Sequence, residues 1–220
     1  MAIAEMIPEG ALVADIGTDH GFLPVYLAKS GKAERAFACD IAQKPLNSAA
    51  RTILKYGAAR QVAPLLSNGL EKLEPNQVDC IVIAGMGGIT ISEIIENCRW
   101  ARRYKFDWFL QPMTKAPQLR QYLCRNGFKI SSEKAVMDKG RIYTVIAAKY
   151  IGQKFEPDDI FALTGMVSKT PGELQTAYIN KTIQKLRKKQ RGLALSADSG
   201  ETDRIGAIIQ SLEKITEGAG

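Results

Sequence analysis

The chain has 220 residues, 45% of them hydrophobic, and a net charge of +7. That length and composition accommodate one α/β domain with a small appendage and exclude global disorder. No run nears the roughly 20 uncharged apolar residues of a membrane span, and the first eight residues have neither the cationic start nor the apolar stretch of a secretory signal, so the chain reads as cytoplasmic.

Residues 12–16 form a short apolar run that predicts a first strand, followed by a helix over 22–30 that Gly31 stops. A second strand over 35–39 ends at Asp40. The next helix opens near Pro45, a residue suited to a first helical turn, and runs to Tyr56 ahead of Gly57. Residues 61–66 predict a third strand. The run Val78-Asp-Cys-Ile-Val-Ile-Ala84 is nearly all apolar, as a central strand buried on both faces must be. Gly85-Met86-Gly87-Gly88 should break it, ahead of a helix over 89–98. A fifth strand over 107–110 ends at Gln111-Pro112, and a helix over 116–126 is closed by Gly127. Strands over 128–132 and 142–149 follow. Only residues 133–141, with a Lys139-Gly140 turn, separate these two, so they should be antiparallel neighbours. The fold class is therefore α/β, a Rossmann-like doubly wound sheet, mostly parallel with an antiparallel last strand.

A boundary near 152–157 divides residues 1–152 from 153–220. Beyond it Ile179, Ile183, Leu186 and Leu193 recur at about 3.5-residue spacing, with Gln190 in one expected core slot. Ile205, Ile208, Ile209, Leu212 and Ile215 make a second stripe, and residues 196–202 have a turn composition. This predicts a coiled-coil-like antiparallel helical hairpin. Cys39, Cys80, Cys98 and Cys124 show no C-x-x-C spacing and His20 is the sole histidine, so no metal site is expected and the thiols read as reduced.

The chemistry is concentrated in the loops. Asp15-Ile-Gly17-Thr-Asp19-His20-Gly21 reads D-x-G-x-x-x-G after the first strand. Such a turn brings backbone N–H groups and a helix N-terminus to a ligand, and Gly17 and Gly21 let it approach the main chain. Asp15 suits an ammonium group. Asp40, with Ile41 beside it, suits both hydroxyls of a ribose and would repel a 2′-phosphate. Together they favour S-adenosylmethionine (SAM) over a nicotinamide cofactor, whose G-x-G-x-x-G loop has only two glycines in phase here. A plain turn beside an exposed acid is the bland alternative. Asn68-Gly69 could face an adenine amino group or be an ordinary turn. Ala84, Gly85, Met86 and Gly87 lie where ligands of open α/β sheets sit. No Asp/Asn-Pro-Pro-aromatic segment follows, which argues for a ring nitrogen or another atom as acceptor rather than an exocyclic amine. Asp19 and His20 could contact substrate and handle a proton, or only order the loop.

Two clusters carry much of the positive charge. Arg99, Arg102, Arg103 and Lys105 are flanked by Trp100 and Tyr104, as a base-stacking surface requires. Lys181, Lys185, Lys188 and Lys189, with Arg187 and Arg191, would grip a phosphate backbone or form a solvated helix face.

The segments Val13-Ala-Asp15-Ile-Gly-Thr-Asp-His-Gly21, Ile83-Ala-Gly-Met-Gly-Gly88 and Leu110-Gln-Pro-Met-Thr114, with Asn126-Gly-Phe128 and Ile142-Tyr143, together resemble the bacterial tRNA (adenine(22)-N1)-methyltransferases, the TrmK family. The resemblance spans nearly the whole chain. It implies a Rossmann fold with a C-terminal helical domain, SAM as cofactor, tRNA as partner, and methyl transfer to N1 of an adenine in the D-arm. It carries site roles onto Asp15, Gly17, Asp19, Gly21, Asp40 and residues 85–88. Two features depart from the family. Relatives have a longer helix ahead of the Ile7-Pro8 equivalent, and Cys39 and Ala42 replace polar residues around Asp40. A monomer is expected, with dimerisation through the tail left open. Two other classes also stay open: a catalytically degenerate methyltransferase fold that binds RNA, and a small-molecule SAM methyltransferase.

Overall fold

The computed structural model describes residues 2–170, 172–194 and 199–217. A short helix α1 (Ala2–Met6) leads into β1 (Ala11–Ile16), α2 (Phe22–Lys29), β2 (Ala33–Asp40), α3 (Gln43–Lys55), β3 (Val62–Leu66), β4 (Cys80–Gly87), α4 (Gly88–Asn97), β5 (Asp107–Thr114) and α5 (Ala116–Arg125). A hairpin of β6 (Phe128–Asp138) and β7 (Arg141–Tyr150) follows. Then come α6 (Asp159–Thr164), a 3-10 turn (Gly165–Lys169), α7 (Glu173–Ala194) and α8 (Ser199–Glu217).

The seven strands are ordered β3-β2-β1-β4-β5-β7-β6. The first five are parallel, and β7 runs antiparallel between β5 and β6. Strand β4 is central and its residues Cys80 to Ile83 are fully buried, as its unbroken apolar run requires. One core layer packs Ile81, Ile83, Ile91, Ile95, Trp108 and Leu119; the other packs Val13, Val25, Leu27, Ala49, Ile53 and Val82.

The structure corrects several boundaries. The strand β4 does not stop at Ala84: pairing with β5 continues to Gly87 against Thr114 through two register shifts. Likewise β5 runs past Gln111-Pro112 to Thr114. Residues 133–138 are strand, because Glu133 to Asp138 keep their partners on β7 up to the Lys139-Gly140 turn, where both φ angles are positive. Helices α1 and α6 and the 3-10 turn are not among the expected elements. Of the expected turn at 196–202, residues 199–202 form the first turn of α8, and 196–198 lie outside the described residues.

Helices α7 and α8 bury Ile179, Ile183, Ile205, Ile209 and Leu212 against each other. A buried charge pair ties this hairpin to the sheet. Arg120 of α5 and Glu133 of β6 are both fully buried and share a two-pronged contact, 2.5 Å from Nη2 to Oε1. Arg120 Nη1 also donates to the carbonyls of Ala162 and Leu163, and its Nη2 donates to the Tyr178 hydroxyl at 2.9 Å. Glu133 Oε2 accepts from Met166 N. A Cβ on Gly165 would run into that carboxylate, so glycine is required there, at φ +58°.

Candidate active site

In a parallel sheet the loops after β1, β2, β3, β4 and β5 share one edge, where ligands of open α/β folds bind. The register places them side by side: Asp15 is level with Ala38 on β2 and Val82 on β4. The turn after β1 is pinned to β2, since Gly17 N and Thr18 N both donate to the Cys39 carbonyl, at 2.8 and 3.0 Å. Gly17 has φ +79°, and a Cβ there would meet the Met86 methyl, which lies over it. Met86 therefore joins the first loop to the third.

Asp15 is 6% exposed, and one carboxylate oxygen accepts the Thr18 hydroxyl at 2.7 Å. Burial pushes its pKa from 3.8 up to about 6; the Thr18 bond opposes this and the neighbouring Asp40 adds to it. Among the described residues no cation pairs with Asp15. Cys39, buried beneath the two carboxylates, is pushed up to about 12, first by burial and then by Asp15 and Asp40, and stays a neutral thiol. Asp40 stands at the tip of β2 and accepts from Ala42 N at 2.8 Å. Ile41 beside it is 69% exposed, an apolar surface at the rim. The buried Ser67 donates to the Gly69 carbonyl and accepts from Lys72 N, which shapes the turn after β3; Asn68 donates to Glu71 at 2.8 Å. Gly85, at φ +78°, has nothing within 4 Å of a would-be Cβ and faces open space.

Asp19 and His20 lie at the same edge. Asp19 has φ +37°, and its carboxylate is 3.3 Å from His20 Nε2. Both side chains are more than half exposed, and the His20 ring sits 5.7 Å from Phe22. Sequence reasoning gave no role to Thr18, Ser67 or Gln111. Gln111 Oε1 accepts from Gly85 N at 2.9 Å and so steadies the third loop. Its signal was legible: a polar Gln-Pro pair interrupting the apolar run of β5 at the ligand edge. Beside it a hollow of about 330 Å³ is lined by Leu23, Gln111, Met113, Met137 and Tyr143.

The two basic clusters separate. The segment carrying Arg99, Arg102, Arg103 and Lys105 precedes β5 and so lies at the opposite edge of the sheet from these loops. Arg102 is engaged by Glu96 and Tyr122, and Trp100 is packed on Phe106 with its N–H donated to the Leu73 carbonyl. Arg99, Arg103 and Tyr104 remain exposed. In the tail Lys189 pairs with Glu201 and Arg187 with Glu213, while Lys181, Lys185 and Lys188 make no ion pair among the described residues.

A doubly wound sheet with an inserted antiparallel strand, a glycine turn after β1 and an acid at the tip of β2 defines a methyltransferase-type domain. A family model described as a methyltransferase domain matches residues 1–146. The tRNA (adenine(22)-N(1))-methyltransferase of Bacillus subtilis is 30% identical over 96% of this chain and 89% of its own. The crystal structure of the B. subtilis m1A22 tRNA methyltransferase TrmK superposes with a TM-score of 0.82 at 26% identity, covering 99% of this chain and 95% of that one. TrmK of M. capricolum in complex with S-adenosyl-homocysteine gives 0.81 at 27% identity, covering 98% and 95%. The chain belongs to the methyltransferase-domain family and, within it, to the tRNA (adenine(22)-N1)-methyltransferases.

Proposed function

We propose that this protein uses SAM to methylate N1 of adenine 22 in the D-arm of tRNA. The observation that carries the reading is the buried carboxylate of Asp15, held by Thr18 with no paired cation among the described residues, beside a glycine turn at the ligand edge of a chain similar to such enzymes along its length. A cationic cofactor suits that position. Asp15 would hold its ammonium group, Asp40 its ribose hydroxyls, and Gly17 and the 84–87 segment would let it lie against the backbone; Gly21, whose bare face meets Ala49 of α3, instead lets α2 and α3 pack closely beside the turn. Ile41 and the Asn68-Gly69 turn would border its adenine. The cofactor supplies an electrophilic methyl group on a sulfonium.

Neutral adenine N1 already carries a lone pair, so the protein need not create a nucleophile. Its task is alignment, which can contribute roughly 7–11 kcal/mol. N1 is engaged in a base pair within a helical arm, so the acceptor base must be unpaired or flipped out. The hollow beside Gln111 and Tyr143 has room for it. Methylation leaves the base cationic. Asp19, oriented by His20, would stabilise that charge or accept a proton from N6. The lysines of α7 that make no ion pair among the described residues would hold the RNA backbone.

Residues 1–152 and 153–220 act as catalytic and helical units in this reading. The protein works in the cytoplasm as a monomer, since the apolar stripes of α7 and α8 are buried against each other. No helix among the described residues is long and apolar enough to cross a membrane, and no group of side chains among them could hold a metal ion. Incubation with labelled SAM and unmodified tRNA, followed by mapping of the methylated nucleoside, tests the proposal. Label at N1 of adenine 22 is expected; label elsewhere, or none, refutes it.

A further inference from the structure

Where α7 crosses the ligand edge it closes a cleft of about 150 Å³. Thr114 and Lys115 form one wall, Thr144 of β7 another, and Tyr178, Lys181 and Lys185 of α7 the third. Among the described residues no carboxylate lines it. Lys115, Lys181 and Lys185 also make no ion pair among those residues, unlike Arg187 and Lys189 further along α7.

Two further features suit an anion. Lys115 is the N-terminal flank of α5, no side chain caps that helix among the described residues, and Ala116 and Pro117 of its first turn line the cleft, so the positive end of the helix lies at its wall. Thr144 is 1% exposed, and its hydroxyl has no hydrogen-bond partner among the described residues. Buried hydroxyls are almost always partnered, so an orphan on a cationic wall is what a ligand oxygen would satisfy. The location matters as well. Thr114 pairs with Gly87, and the Lys115 carbonyl lies against Gly88, so the cleft opens beside the third loop of the active edge.

We propose that this cleft binds a backbone phosphodiester of the RNA next to the nucleotide whose base enters the active edge; the assignment rests on the tRNA reading above. The catalytic sheet contributes Lys115, Thr144 and the α5 terminus, and the tail contributes Lys181 and Lys185. The site exists only where the two meet.

The test measures binding and single-turnover methylation of unmodified tRNA across a salt series, with SAM present. The variants are Lys115→Ala with Lys185→Ala, and separately Thr144→Val; SAM calorimetry confirms that each is folded. For the lysine variant the tRNA KM should rise about tenfold with SAM affinity intact, and the slope of log affinity against log salt should fall by roughly 0.7–0.9 for the lost phosphate. Thr144→Val should weaken tRNA binding a few-fold without lowering the melting temperature, which a role in packing alone would not do. Wild-type KM and salt slope in both variants would overturn the cleft assignment. A wild-type protein that neither binds nor methylates tRNA would instead overturn the parent reading, and the cleft with it.

Discussion

Asp15→Asn should move stability and cofactor binding in opposite directions. The carboxyl has a pKa of about 6 in the fold against 3.8 when solvated. That rise of about two units corresponds to roughly 3 kcal/mol, at 1.36 kcal/mol per unit. The sign follows from linkage: a raised folded pKa means that ionised Asp15 opposes folding. The penalty is absent below about pH 4, grows between 4 and 6, and is full above 6. Asparagine keeps an acceptor for the Thr18 hydroxyl and removes the buried charge. The variant without cofactor should therefore be more stable at pH 7.5, by up to about 3 kcal/mol, in urea unfolding. It should lose most SAM affinity, because the ammonium loses its counter-charge. In the wild type only the ionised carboxylate binds well, so calorimetric SAM affinity should fall about tenfold from pH 7.5 to pH 5, one unit below the midpoint. Asp15→Asn should flatten that profile. A variant that is less stable yet binds SAM normally, or a wild-type affinity indifferent to pH, would refute the assignment.

Gly17→Ala should weaken SAM binding at least several-fold, since it adds roughly 1–2 kcal/mol of left-handed strain and drives a methyl into Met86; unchanged calorimetric affinity would contradict this. Asp19→Asn should slow single-turnover methylation at saturating SAM by roughly 100-fold or more if it handles a proton, while SAM affinity stays normal; full activity would remove Asp19 from the chemistry. Glu133→Gln should cost about 3–5 kcal/mol in urea unfolding, because it strands the buried Arg120 charge. A loss below about 1 kcal/mol would place the pair among weak ion pairs.

By itself the sequence determined the strand and helix succession, the glycine turn from Asp15 to Gly21, the acid at position 40 and the helical tail. Each is a local signal: apolar runs, alternation with helical stripes, and turn residues at strand ends. Local pattern could not say which loops share an edge with which charges. Arg99, Arg102 and Arg103 read as a nucleic-acid face, but the parallel direction of β5, which they precede, puts them opposite the active edge, and packing engages Arg102 with Glu96. Residues 133–138 read as part of the connection that carries the Lys139-Gly140 turn. Tertiary burial against Arg120 makes Glu133 part of the strand's core face and clamps α6, the 3-10 turn and α7 to the sheet. The pairing of Lys115 with Lys181 and Lys185 across one cleft likewise exists only in the folded chain, since 66 residues or more separate Lys115 from those two lysines and only long-range packing can join them.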